Sequence, residues 1–440
     1  MAIYGNTSRV SVDVSGGAIT AVNIGDQDKL VIFARGDPNS GTAQTNDPTQ
    51  VSGPQAAAAA FGEDTALTEA IRDAAANGVG YASIWGVMPA TQSATGEAIA
   101  GGSGTLGNTP IIEDVAEITA TNTTDGVEAD VAFRYNDPVA EPSSEQTVHI
   151  NPFEGIVEAG DSDEYEIDYK WLDWQSAFDA ATGVIQEQEH GEWRVHSEAE
   201  SVVADAISTV RPLRESEWKM IRVSAAAQPN TNSSATPPEA HFDATGYTDG
   251  LDNDALFLTA PERRPGSDSL VGGAVAGQMA GTSIDEPILG NALTGVTDLT
   301  QTLTVPEQTD LANSGVIPIS ASGSPALEDN VSTSTETDWT RDFFTARLRD
   351  QLVLTARAIG RAARGRLNND TVETLVQERL ADELIDLIED GVLEPNTDDE
   401  TRWYTNAEQD ATNPKKLDIS FGFSPVGVVG TVDVDMTINI

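Results

Sequence analysis

Residues 431–440, Thr-Val-Asp-Val-Asp-Met-Thr-Ile-Asn-Ile, alternate without a break. Val432, Val434, Met436, Ile438 and Ile440 fall on one face, and Asp433, Asp435, Thr437 and Asn439 on the other. That is the period of a half-buried strand. Chain ends fray unless they are tied down, so a strand written this clearly requires a sheet edge, in its own subunit or in a neighbour's. An edge in a neighbour would make the chain a polymer-forming one.

The rest of the chain reads as α/β with an interruption. Lys29–Arg35 is a continuous apolar run that suits a strand buried on both faces. A loop rich in Gly, Pro, Asn and Thr follows to about Ala60. Leu67, Ala70, Ile71 and Ala74 then recur at helical spacing, with Asp64 or Thr65 as cap and Asn77-Gly78 as stop. Val79–Val87 returns as a strand, which completes a βαβ unit and implies a parallel sheet. From residue 90 to 200 short candidate strands alternate with Asn/Asp/Gly/Pro turns, and Phe153, Trp171, Trp174, Phe178 and Trp193 supply core. The α/β texture resumes at 201–330, with a helix ending before Pro212, strands at Lys219–Ala225, Ala255–Thr259 and Val316–Ala321, and a small-residue helix over Ser269–Gly281. Two long helices follow, one lined by Trp339, Phe343, Phe344, Leu348, Leu352, Ala356 and Ile359, the other by Val372, Leu375, Val376, Leu380, Leu384, Ile385 and Ile388. The expected organisation is a polar arm with scattered β-branched residues (1–27), a core in two parts (28–89 and 201–330), an inserted mostly-β outer domain (90–200), an α+β C-terminal domain (331–424) and a terminal strand arm (425–440).

Charge narrows the setting. With 71 acidic against 24 basic residues the formal net charge is −47, yet 39% of residues are hydrophobic. Disorder needs low hydrophobicity as well as high charge, so the chain is expected to fold. A dense acidic surface with five lysines resembles the proteins of extreme halophiles, in which molar salt screens self-repulsion. Binding to a nucleic-acid backbone is disfavoured by the sign of the charge. There is no cysteine, which excludes thiolate chemistry. The residues after Met1 carry no basic region and apolar core of a signal peptide, and no run is apolar enough for membrane insertion; the expectation is a soluble product of the cytosol.

Catalytic and cofactor motifs are missing. His149, His190, His196 and His241 are read as surface residues, because His190 and His196 lack the i, i+4 spacing of a helical zinc pair. The glycine runs at 101–104 and 272–277 lack the lysine of a phosphate loop, and close helix packing explains the second better. Acidic loops at 249–254 and 396–400 offer oxygen ligands, but such clusters arise freely in so acidic a chain. No metal, cofactor or catalytic residue is therefore assigned. One charge feature departs from the background: Arg341, Arg347, Arg349, Arg357, Arg361, Arg364 and Arg366 lie between residues 339 and 366, against only Asp342 and Asp350. These arginines either pair with acids of their own subunit or form a basic face aimed at an acidic partner.

In this order the parts resemble the tail sheath proteins of contractile-tailed phages and related injection machines. Phe61-Gly62, a short helix, Asn77-Gly78 and the strand Val79–Val87 are similar to a passage of that family. So are Ala260-Pro261, Leu270–Ala276, Asp285–Val296 and Leu303–Pro318. The C-terminal part is most similar: a strand at Thr333 or Thr335, the arginine-bearing helix, a second helix ending at Gly391, a strand over Leu417, Ile419 and Phe421, Pro425 and the terminal strand. The motifs span roughly 28–88 and 200–440.

The resemblance implies a fold with a tail-sheath-like core of mixed βαβ sheet, an inserted mostly-β domain and an α+β C-terminal domain with exchanged terminal strands. It implies a non-enzymatic structural subunit that stacks as hexameric rings around a rigid tube and contracts to drive the tube through an envelope. The partners would be further copies of the chain, an inner tail tube protein, and baseplate and tail terminator proteins. The particle would be a virion tail, or an extracellular or cytoplasmic contractile particle, assembled in the host cytoplasm. Val432, Val434, Met436, Ile438 and Ile440, with Val10, Val12 and Val14 of the arm, would form the strand-exchange interface, so that in an isolated subunit the last strand reaches away from its own body or is disordered. Arg347, Arg357, Arg361 and Arg364 would dock on the tube. A capsid or other lattice protein, and an α/β enzyme without a recognisable site, are the other classes the composition admits.

Overall fold

The computed structural model describes residues 29–135, 139–144, 146–185, 190–229, 251, 253–265, 269–283, 288–320, 324–334, 341–363, 370–397, 400–413, 416–426 and 432–439. Val10, Val12, Val14, Ile440, Arg364, Arg366 and His241 lie outside them.

Six parallel strands make the centre of an eight-stranded sheet: β14 (Val316–Ser320), β13 (Leu256–Ala260), β12 (Met220–Ala226), β11 (His190–Val195), β1 (Leu30–Phe33) and β3 (Ile84–Val87). The two-residue strands β2 (Thr49–Gln50) and β15 (Ala326–Leu327) close its edges antiparallel. Strands β1, β11 and β12 are buried along their whole length, as parallel strands covered on both faces must be. On one face Leu30 and Ile32 pack with helices α1 (Pro54–Phe61) and α2 (Ala66–Ala76). On the other, Val31 and Phe33 pack with α3 (Trp174–Ile185) and α4 (Glu200–Glu217).

Helix α5 (Gly272–Gly281) crosses the first face on glycine. A Cβ on Gly277 would lie 2.3 Å from the Ala74 carbonyl oxygen of α2, and one on Gly272 would overlap the Arg194 guanidinium. Helix packing is thus the role of this run, as the sequence implied. Replacing Gly277 with leucine is expected to force α2 and α5 apart and cost at least about 1–3 kcal/mol, read as a lower midpoint in denaturant at unchanged slope.

Three readings of the core require correction. Residues 54–61 are helical rather than loop: five consecutive alanines follow a proline in the first turn, a strong helix-forming combination that leaves no amphipathic period to detect. Helix α4 runs through Pro212 to a left-handed cap at Trp218; only one main-chain bond is forfeited, and Val210 and Leu213 keep both sides of the proline packed. Residues 305–313 form a further helix, α6, under a capping box from Thr304 and Glu307.

The insertion is a seven-stranded sheet, ordered β4 (Ala90–Ile99), β10 (Tyr165–Asp173), β6 (Thr119–Asn122), β7 (Val127–Phe133), β8 (Thr147–Ile150), β9 (Ile156–Ala159) and β5 (Ser103–Thr105). It encloses its own core of Ile99, Ile111, Val148, Ile150, Val157, Ile167 and Tyr169. Chain continuity joins β4 to β5, the two outermost strands, through Ala100–Gly102, so the sheet curls on itself. The chain is back in the central sheet at β11, earlier than the expected resumption at 201. The misreading has a cause: Glu192 and Arg194 give β11 a polar look, although both are fully buried. Arg194 forms an ion pair with Glu262 that excludes solvent.

The C-terminal domain consists of α7 (Phe343–Ala363), α8 (Asp370–Glu389) and a three-stranded sheet ordered β16 (Tyr404–Gln409), β17 (Lys416–Phe423), β18 (Val432–Asn439). Helix α8 stops before Gly391, whose φ of 77° is a left-handed conformation. Leu348, Leu352, Val376, Leu380, Leu384, Ala407, Leu417, Ile419 and Phe421 form this domain's core, and Met220 of β12 joins it.

Candidate assembly site: the terminal sheet and the α7 arginine hub

Strand β18 has a partner in its own chain. It runs antiparallel to β17 over eight residues, with Val432 opposite Phe423, Val434 opposite Phe421, Met436 opposite Ile419 and Ile438 opposite Leu417. Residues directly opposite in an antiparallel pair share a face. In register, every apolar residue of the described β18 stands opposite an apolar one, and Asp433, Asp435, Thr437 and Asn439 stand opposite Gly422, Ser420, Asp418 and Lys416. On β17, Leu417, Ile419, Phe421 and Phe423 are buried. This overturns the expectation that the isolated subunit holds its last strand away from its body. The expectation failed because β17 presents the matching alternation only eight residues before β18 begins, close enough to fold back. Val432 and Phe423 sit at the near end of the ladder, linked by residues 424–431.

The arginine-rich helix also has an intramolecular use. Asp350 on α7 is 2% exposed and lies among three guanidinium groups: Arg214 of α4 (3.0 and 3.1 Å), Arg222 of β12 (3.3 Å) and the neighbouring Arg349 (3.4 Å). Burial alone would push the Asp350 carboxyl up, but Arg214, Arg349 and Arg222 outweigh it and hold the group at about 2. Arg349 reaches on to Asp254. Arg357 donates to the Trp218 carbonyl oxygen at 2.8 Å, Arg341 to that of Ala312 at 3.0 Å, and Arg347 to that of Ser283 at 3.4 Å. Arg347 is buried, with its guanidinium over the Phe343 ring, which in turn meets Phe257 of β13 edge-on. Sequence reasoning offered an internal role and a docking role for these residues; at Arg341, Arg347, Arg349 and Arg357 the internal one is occupied. Of the docking candidates, Arg347 is buried and Arg361 half-buried. The hub was not legible because Arg214, Arg222 and Asp350 lie on three separate elements.

A crevice of about 820 Å³ opens above the carboxyl ends of β1 and β11. Chain connections leave these adjacent strands in opposite directions, which is where open α/β sheets hold ligands. Here the chain's own side chains meet across it. Arg263, which follows β13, bonds Glu198 at 2.6 Å and Glu113 of the insertion at 3.2 Å, and Tyr135 donates to Glu113 at 2.6 Å. Arg35 and Lys170 share Glu117 at 3.6 and 2.5 Å. Burial raises the Glu198 carboxyl to about 7 against the pull of Arg263. Burial also lowers the His196 imidazole to about 3, assisted by Arg194 and Arg264. His149 and His190 are buried and His196 half-buried, so none of the three described histidines is the surface residue expected. Among the described residues no cluster of His, Asp or Glu is arranged to hold a metal ion, and no described helix is long and apolar enough to cross a membrane.

This architecture is shared with solved structures. A sheath tail protein of Desulfitobacterium hafniense superposes with a TM-score of 0.58 at 14% identity, covering 94% of this chain and 97% of that one. One of Listeria innocua gives 0.58 at 12% identity, covering 95% and 96%. The contracted helical sheath of the anti-feeding prophage gives 0.56 at 13% identity, covering 97% of each chain. The fold is that of contractile tail sheath proteins. The shared fold spans more of the chain than the stretches 28–88 and 200–440 in which sequence motifs were found. No protein-family model and no curated protein sequence matches the chain.

Proposed function

We propose that this protein is the structural subunit of a contractile sheath, a helical polymer of stacked hexameric rings around a rigid tube. The observation that carries the reading is the terminal ladder, considered together with the sheath fold. An eight-residue strand joined to its sheet by a short segment containing Gly427 and Gly430 can leave β17 of its own chain and pair with β17 of a neighbour. Such an exchange conserves every main-chain bond while linking copies head to tail, an arrangement that grows as a filament. The arm at 1–27, with Val10, Val12 and Val14, would add a second link. Inner tube, baseplate and terminator proteins would be the other partners, in a phage-like tail or an extracellular particle. Contraction would draw on conformational energy stored at assembly.

The acidic surface fits a particle assembled in molar salt, as in halophiles, where screening lets like-charged subunits approach. Electron microscopy of the purified chain across a salt series tests both parts. Hollow striated tubes that form in molar salt and dissociate on dilution are expected. Flat arrays or closed shells would favour the lattice alternative, and discrete particles under all conditions would refute polymerisation.

A further inference from the structure

The three-stranded terminal sheet has two edges, β16 and β18, and side chains of α8 reach the first of them. Every second residue of a strand turns its main-chain groups outward, and along β16 the Thr405 carbonyl oxygen and the Gln409 N–H are taken up by side chains of α8. Gln377 donates from Nε2 to the Thr405 carbonyl oxygen at 3.0 Å, and the Gln409 N–H donates to Glu373 Oε1 at 3.2 Å. The Thr405 hydroxyl closes the contact by donating to the Gln377 carbonyl oxygen at 3.4 Å. The helix is fixed in this place, because Val376, Leu380 and Leu384 are buried in the same core as Ala407 of β16. Strand β18 pairs with β17 at the opposite side of the sheet.

An exposed edge is a template for any extended segment, and proteins blunt the edges they do not use. We infer that Glu373 and Gln377 seal the β16 edge, so that a strand from a second copy of this chain can join the terminal sheet only on the β17–β18 side. The inference deepens the strand-exchange reading and rests on it. With one edge closed, the terminal sheet accepts incoming strands from one side only. Links made through the terminal strand then all run in one direction, and none starts from the β16 side of the sheet. Glu373 and Gln377 are four residues apart on one helix face, a spacing that serves the seal without contributing to the domain core.

The test uses the full-length chain and a labelled synthetic peptide of residues 431–440. In wild type, hydrogen exchange over 404–409 is expected to be unchanged when peptide or further subunits add. In a Glu373→Ala, Gln377→Ala double variant the chain should take up one more peptide, and exchange over 404–409 should slow about tenfold on binding. Glu373→Gln keeps an acceptor for the Gln409 amide and should match wild type. A folded double variant with unchanged stoichiometry overturns the seal, as does one that only melts at lower temperature; should it fail to fold, Gln377→Ala alone decides by the same measure. If wild type binds no peptide and 432–439 gains no protection under assembly conditions, the strand-exchange reading fails instead.

Discussion

Replacing Asp350 with asparagine is expected to destabilise the protein by about 3–5 kcal/mol, the cost typical of breaking a buried ion pair from one side. The carboxylate is 2% exposed and is the shared counter-charge of Arg214, Arg222 and Arg349, which belong to α4, β12 and α7. Its loss leaves like charges facing one another where the C-terminal domain meets the central sheet. The effect should persist in molar salt, because a desolvated pair is screened far less than a surface one. Acid provides an independent check. The folded-state pKa of about 2 lies below the unfolded value near 3.9. The contribution of Asp350 is therefore fully present above about pH 4 and is lost as pH falls through about 2, an amount of roughly 2–3 kcal/mol. The asparagine variant should lack this part of the acid transition. A substitution cost larger than the pH-linked cost is expected, because protonation leaves a neutral hydrogen-bonding acid in place whereas the amide must repack. An unfolding midpoint shifted by less than about 1 kcal/mol would mean that the hub is solvated.

Removal of residues 432–440 is expected to abolish polymer while leaving a folded chain. The described core of the C-terminal domain draws on α7, α8, β16 and β17, and the truncated chain leaves the β17 edge free. Sedimentation and microscopy in molar salt should find monomers where wild type gives tubes. The peptide of residues 431–440, added in excess to the truncated chain, should bind at the vacated edge with no polymer forming; added to wild type during assembly, it should shorten the tubes. Tubes of normal dimensions from the truncated chain would mean that β18 holds only its own subunit together.

How far the fold could be read from sequence varied with where each element's partners lie. The continuous apolar run of β1 and the periodic face of α2, with Thr65 accepting from the Thr68 N–H at its start, needed no long-range information. Neither did α8 with its stop at Gly391. Elements escaped notice when their buried residues were not apolar in pattern. Strand β11 conceals Glu192 and Arg194 inside the sheet. In β16 only Ala407 is buried, which leaves no alternation to detect. The capping box of α6, Thr304 with Glu307, was a local signal that went unused. For the assembly site, the pattern of β18 was legible in full but its partner was not: alternation specifies that an edge exists and is silent on whose edge it is. The arginine cluster was legible as charge and ambiguous as function, since Asp254, which pairs with Arg349, precedes β13, and Arg214 and Arg222, which share Asp350 with Arg349, lie on α4 and β12.

The insertion leaves and rejoins the core at one rung. Ala90 opens β4 and Asp173 closes β10, and these two residues face each other in the antiparallel ladder. A module whose two ends lie a single strand spacing apart places almost no geometric demand on the scaffold that carries it. It can be lengthened, replaced by a graft with the same paired ends, or trimmed to a hairpin, while α3 and β11 continue from the same point. The insertion is thereby free to diverge while the core that carries it keeps its fold.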